Sequence, residues 1–159
     1  MSERPFPGRL LGIDHGPRTL GLAICDPTGL IARPLRILRR TSRQADFAQI
    51  AALIAEHGAV GVIVGLPLPP PPYTDSPQMQ QVRRWAARLA AALDVPVYLW
   101  NERYSTDEAL ERLTEAGRKL PRREDAVAAA VILQSFLDAL RDEDFPWPEP
   151  VSPAAEDER

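Results

Sequence analysis

The sequence predicts a mixed α/β fold: one five-stranded sheet, a three-stranded antiparallel meander extended by two parallel strands, with helices on both faces. Three observations lead there. Three short apolar runs are divided only by the tight turns "GPR" and "DPTG". After them, stretches with helical spacing alternate with apolar runs. Those later runs, "AVGVIVGL" above all, are continuous, as in strands covered on both faces.

The elements follow in order. "RLLGIDHG" and "TLGLAICD" read as the first two strands and "RPLRILR" as the third. "SRQADFAQIAALIAEHG" opens on Ser42 as N-cap, places Phe47, Ile50, Leu53 and Ile54 at helical spacing, and stops at Gly58. "AVGVIVGL" is the fourth strand. Pro69 to Pro72 follow in a stretch that permits neither helix nor ladder. A second helix runs from Pro77 to Leu93 with Met79, Val82, Ala86, Leu89 and Leu93 on one stripe, and "VPVYLW" is the fifth strand. Ser105 and Glu108 have capping-box spacing at the head of a short helix. The Ala-rich "EDAVAAAVILQSFLDAL" is the last helix.

The chain's 159 residues suit one domain with a real core. No run is long enough to span a membrane, and "MSERPFPGRL" has no hydrophobic signal segment, so a cytoplasmic protein is expected. Cys25, the lone cysteine, sits in an apolar run as a small core residue. With His15 and His57 far apart, a structural zinc site is excluded. The net charge of −3 conceals an asymmetry: residues 142–159 hold seven acids against Arg159, a net −6, and leave +3 on residues 1–141. The expected division is a folded domain over 1–141 and an acidic, Pro-rich, disordered tail over 142–159.

Asp14 sits near the end of the first apolar run, where a carboxylate survives only if it is paired, hydrogen-bonded or metal-bound. Glu102 lies just after the fifth strand, and Asp125 opens the last helix. Each has an ordinary alternative: a turn for Asp14, an ion pair with Arg103 for Glu102, a favourable helix dipole for Asp125. With the first strand central, however, the ends of strands one and five reach one crevice, and three converging carboxylates suit Mg²⁺. Gly16 either lets a phosphate backbone approach or simply serves the hairpin. Arg18 beside it, and Arg122 and Arg123 just before Asp125, are candidate phosphate contacts that give affinity without sequence preference. The five arginines of "RPLRILRRTSR" read as a solvated face.

Together "GIDHGPRTLGLAICD", "VGLPL", "PQMQQVRRWAARL", "LWNERYSTDEA" and "DAVAAAVILQSFLD" resemble the YqgF/RuvX family of pre-16S rRNA nucleases and Holliday-junction-resolvase-like proteins, over residues 8–140. The resemblance implies an RNase H-like fold and the family's acidic triad on Asp14, Glu102 and Asp125. It also implies hydrolysis of phosphodiesters with Mg²⁺ or Mn²⁺, two ions being held, and RNA or branched DNA as partner. Asn101 stands where the family has Asp, the Pro69–Pro72 run replaces an Asn and an Asp-Gly stretch, and Thr19 replaces the second of two basic residues. A Holliday-junction resolvase, a non-catalytic nucleic-acid-binding factor and an actin-type ATPase are the rivals; the last needs two such domains. Both a monomer and a homodimer are compatible with the sequence.

Overall fold

Five strands, β1 (Leu10–His15), β2 (Thr19–Cys25), β3 (Ala32–Arg39), β4 (Gly61–Leu66) and β5 (Val97–Asn101), form a sheet in the order β3-β2-β1-β4-β5. β1 is central. It runs antiparallel to β2 and parallel to β4, and β4 is parallel to β5. The computed structural model describes residues 7–67, 76–101 and 126–155. Glu102, Tyr104, Arg122, Arg123, Asp125, the four prolines and the short helix expected from Ser105 lie outside these residues.

Among the described residues three helices cover the sheet: α1 (Arg43–His57), α2 (Pro77–Ala92) and α3 (Val127–Leu140). Ser42 caps α1 by accepting from Ala45 N–H at 3.1 Å, and Gly58 ends it in the left-handed conformation at φ 67°. Ser76 caps α2 in the same way through Met79 N–H, with Pro77 at the first helical position.

Alternation along the strands decides which face each residue serves. Leu11 and Ile13 of β1 pack with Leu20, Leu22 and Ile24 of β2 and Val62 and Val64 of β4 under α1 and α2, which supply Ile50, Trp85 and Leu89. Leu10, Ala23, Cys25, Ile63 and Trp100 face α3, which supplies Ala129, Leu133 and Phe136. Burial pushes the Cys25 thiol up to about 11, so it is an inert core residue. α3 seats closely because position 12 is glycine: a Cβ there would lie 2.9 Å from Leu133 Cβ and 3.2 Å from the Ala129 carbonyl. Fully buried Gln134 fastens the same helix to the β2–β3 connection, accepting from Ala32 N–H at 2.9 Å and donating to Leu30 O at 3.0 Å.

Beyond α3, a few described residues of the acidic stretch contact the sheet and its helices. Trp147 packs on Tyr98 and Phe136, and Phe145 on Trp100, with ring centroids 5.7–5.8 Å apart. The chain then crosses β5: Val151 N–H donates to Val97 O at 2.7 Å, and Ala154 N–H to Ala87 O at 2.9 Å. A few anchors act here against the solvating effect of charge. Two aromatic rings bury apolar surface, and prolines lower the entropy lost on ordering. The strap also occupies the exposed edge of β5, where an open ladder invites pairing with other chains.

Two stability outcomes are expected. Trp147→Ala should cost about 2 kcal/mol and lower Tm by about 4–8 °C in thermal unfolding, since a half-buried ring leaves a partial cavity. Gly12→Ala should cost about 1–3 kcal/mol by overpacking against α3, measured by urea denaturation. Gly21→Ala, whose added Cβ would meet nothing nearer than 3.6 Å, should cost less than about 1 kcal/mol.

Candidate functional site

Asp14 is the fifth residue of β1, half-buried, on the sheet face that α3 covers. Its cross-strand partner is Gly21 of β2. A Cβ at Gly21 would lie 3.6 Å from Asp14 Cβ, 3.7 Å from Ala126 Cα and 3.7 Å from Ala129 Cβ. The glycine therefore opens a small space between the Asp14 side chain and the start of α3. Glycine inside a strand marks such close approaches, and "TLGLAICD" carries that signal.

Ala126 precedes α3 in a left-handed conformation, φ 65° and ψ 27°, with no side-chain cap. For a residue carrying a Cβ this costs about 1–2 kcal/mol, and strain of this kind gathers at functional sites. The last helix thus begins at Val127, two residues later than the sequence suggests, behind a sharp change of backbone direction. Across the sheet, Ile13 is level with Val64, Gly65 with Trp100, and Leu66 with Asn101. The carboxyl ends of β1, β4 and β5 consequently finish along one edge, where open sheets bind ligands. Asn101 and Ala126, the chain neighbours of Glu102 and Asp125, stand at this edge and beside Asp14 respectively.

The turn after β1 is closed by Gly16 N–H donating to Thr19 O at 3.0 Å. A Cβ on Gly16 would fall 2.7 Å from that same carbonyl, so the hairpin itself requires glycine. Arg40, from the run read as a solvated face, is half-buried. It grips the turn twice, Nη1 donating to Gly16 O at 2.7 Å and its backbone N–H to Arg18 O at 2.9 Å. Arg18 is exposed on this turn. His15 points to the opposite face from Asp14, edge-on to Trp85 with ring centroids 4.7 Å apart. Burial, and then the Arg40 charge, push its pKa down to about 4 and keep the imidazole neutral at physiological pH.

Among the described residues no three His, Cys, Asp or Glu side chains gather as a metal site; two of the three expected ligands lie outside them. What is described fits a hard cation. Asp14 offers carboxylate oxygens, the hard donors such an ion takes, and Gly21 beside it keeps the adjoining strand from crowding them with a side chain.

Comparison with known proteins decides the family. The model of the RuvX family, described as Holliday junction resolvase, matches residues 8–139. The chain belongs to the RuvX family. A relative in Anaeromyxobacter is 45% identical over 133 residues, 82% of this chain and 96% of its own. Another in Myxococcus xanthus is 42% identical over 139 residues, 86% of this chain and 91% of its own. Both bear the name "Putative pre-16S rRNA nuclease". The fold is similar to that of Thermus thermophilus RuvC, with a TM-score of 0.63 at 16% identity over 89% of this chain and 99% of that one. The RNase H-like fold and the nuclease class that the RuvX motifs implied are both met. No helix among the described residues is long and apolar enough to cross a membrane.

Gly16→Ala should open the hairpin that follows Asp14. A stability loss of about 1–3 kcal/mol accompanied by reduced cleavage is expected, read by thermal unfolding and nuclease assay on one preparation. Full stability together with full activity would show that the turn has no part in placing Asp14.

Proposed function

We propose that this RuvX-family chain hydrolyses phosphodiester bonds of structured RNA, processing the 5′ end of pre-16S rRNA, with a divalent metal, Mg²⁺ or Mn²⁺, held by Asp14, Glu102 and Asp125. One observation carries the reading: Asp14 stands on the central strand at the carboxyl edge of the sheet, beside a glycine-walled space. The chain neighbours of the other two acids, Asn101 and Ala126, end β5 and flank Asp14. Three carboxylates brought together at this edge would repel one another unless a cation offset them.

When bound, the metal supplies Lewis-acid polarisation of the phosphate and activation of water, with a pair of ions acting on the attacking and leaving oxygens. Asp14, Glu102 and Asp125 would hold the metal through their carboxylate oxygens. The chain's own contribution is placement. Arg40 and Gly16 fix the turn after Asp14, and α3, seated on Gly12, fixes Ala126 beside Asp14. Arg18, Arg122 and Arg123 would hold phosphates of the substrate, and Gly16, lacking a side chain, would let them approach. The names of relatives at 40–45% identity favour pre-16S rRNA. The family's description favours a second reading, cleavage of four-way DNA junctions, which would call for a symmetric dimer. Either activity belongs in the cytoplasm.

Asp14→Asn keeps the volume and removes the charge. Cleavage of labelled single-stranded RNA, duplex and four-way junction, assayed side by side with Mg²⁺ or Mn²⁺, should fall by more than the ~10–100-fold that loss of a metal ligand's partner costs. Nucleic-acid binding should hold or strengthen, and Tm without metal should rise as repulsion is relieved. Full activity in this variant would sink the metal-site reading, because asparagine suits a turn as well as aspartate does.

A further inference from the structure

On the face of the sheet opposite Asp14, a cavity of about 780 Å³ opens between the end of β1 and helix α2. Arg40, Arg84 and Arg88 line it with Gln78 and Gln81, and His15 and Trp85 line its inner part. Gln81, Arg84 and Arg88 are spaced i, i+3 and i+7, so they share one side of α2. Two ring nitrogens here, His15 Nε2 and Trp85 Nε1, are buried with no hydrogen-bond partner among the described residues. An indole N–H can only donate, and a buried donor left unmade carries its full desolvation cost. Asp46 lies 4.0 Å from Arg40, but it is itself buried and takes hydrogen bonds from Thr41 N–H and Oγ1. The guanidinium groups and side-chain amides together make the lining rich in donors.

We propose that this cavity is a second phosphate-binding site, separate from the metal edge, that takes a backbone phosphate of the bound nucleic-acid strand on the far side of β1. Three guanidinium groups and two side-chain amides suit a phosphate, which accepts several hydrogen bonds at once. The volume exceeds that of a lone anion and falls in the range of nucleotide-sized ligands. Position links it to the cleavage site: Asp14 and His15 are consecutive on β1 and face opposite sides of the sheet. A strand crossing the carboxyl end of β1 therefore meets both. Arg40 touches both features as well, lining the cavity while its Nη1 donates to Gly16 O in the turn that follows Asp14. That the phosphate belongs to a nucleic acid rests on the nuclease reading; the phosphate site itself does not.

The test compares Arg84→Gln with Arg36→Gln, an exposed arginine on β3 away from the cavity, each in the Asp14→Asn background so that substrate persists. Binding of labelled single-stranded RNA is measured across salt concentrations, and thermal stabilisation is measured with orthophosphate and with adenosine 5′-monophosphate. For Arg84→Gln we expect a salt slope shallower by about 0.7 and, at 0.1 M salt, affinity lower by about fivefold, with Arg36→Gln close to its parent. Unchanged RNA binding, combined with nucleotide or phosphate stabilisation that Arg84→Gln abolishes, would keep the phosphate site but assign it to a free nucleotide. Equal effects of the two arginine variants on RNA binding, with no stabilisation by either small ligand, would overturn the proposal. Continued RNA cleavage in the Asp14→Asn background would count against the metal-site reading alone, since the comparison of arginines is unaffected.

Discussion

The close seating of α3 on β1 and β2 is the constraint on which the rest of the molecule depends. Gly12 has no room for a Cβ beneath Leu133 and Ala129, and Gly21 leaves an open space between Asp14 and Ala126. Two glycines on adjacent strands thus bring the amino end of a helix against the carboxyl end of a central strand. The helix cannot drift away, because fully buried Gln134 fastens it to the β2–β3 connection and Trp100 donates to Ser135 at 2.6 Å. Stability and function share one contact surface here, so a substitution that loosens α3 also disturbs the surroundings of Asp14.

The same strand end serves both faces of the sheet. Asp14 looks toward α3 and His15 toward α2, and the turn that follows is tied by Arg40. Arg40 gives one guanidinium hydrogen bond and its backbone N–H to that turn, a role its place in an arginine-rich run disguises. A run of like charges describes a surface on average, whereas the one member set beside a buried carboxylate and a tight turn is structural. The aromatic strap formed by Phe145, Trp147 and Val151 completes the far edge of the sheet, so the acidic end of the chain contributes to the fold as well as to the net charge.

Much of this was legible in the residues. Turn chemistry at "GPR" and "DPTG" gave the meander, the cap at Ser42 and the apolar stripe from Met79 to Leu93 marked two helices, and continuous apolar runs marked the parallel strands. These are local signals, and local signals survive without tertiary information. The seated strap was not legible, because a net charge and four prolines say nothing of whether two aromatic rings find a surface. Nor was the late start of α3, set by the left-handed Ala126, since helix dipole arguments place an acid near a terminus without fixing the backbone at it. The donor-lined cavity also escaped notice: His15 and Trp85 are 70 residues apart and meet only when α2 docks on β1. Of the candidate site, Asp14, Gly16 and Arg18 lie at one strand end as expected, and their neighbours Gly21 and Ala126 could have been found from a glycine inside a strand and a helix start packed against it.

The central claim is that Asp14, Glu102 and Asp125 act as one cation site at the carboxyl edge of the sheet. Calorimetric titration of Mn²⁺ into the wild-type chain and into Asp14→Asn, Glu102→Gln and Asp125→Asn, with all four confirmed folded by thermal unfolding, tests it without reference to any substrate. Saturable binding to the wild type, lost or weakened at least about tenfold in every one of the three variants, is the result expected of a shared site. Wild-type affinity retained in all three would contradict it and would return each carboxylate to the local role its own neighbours provide.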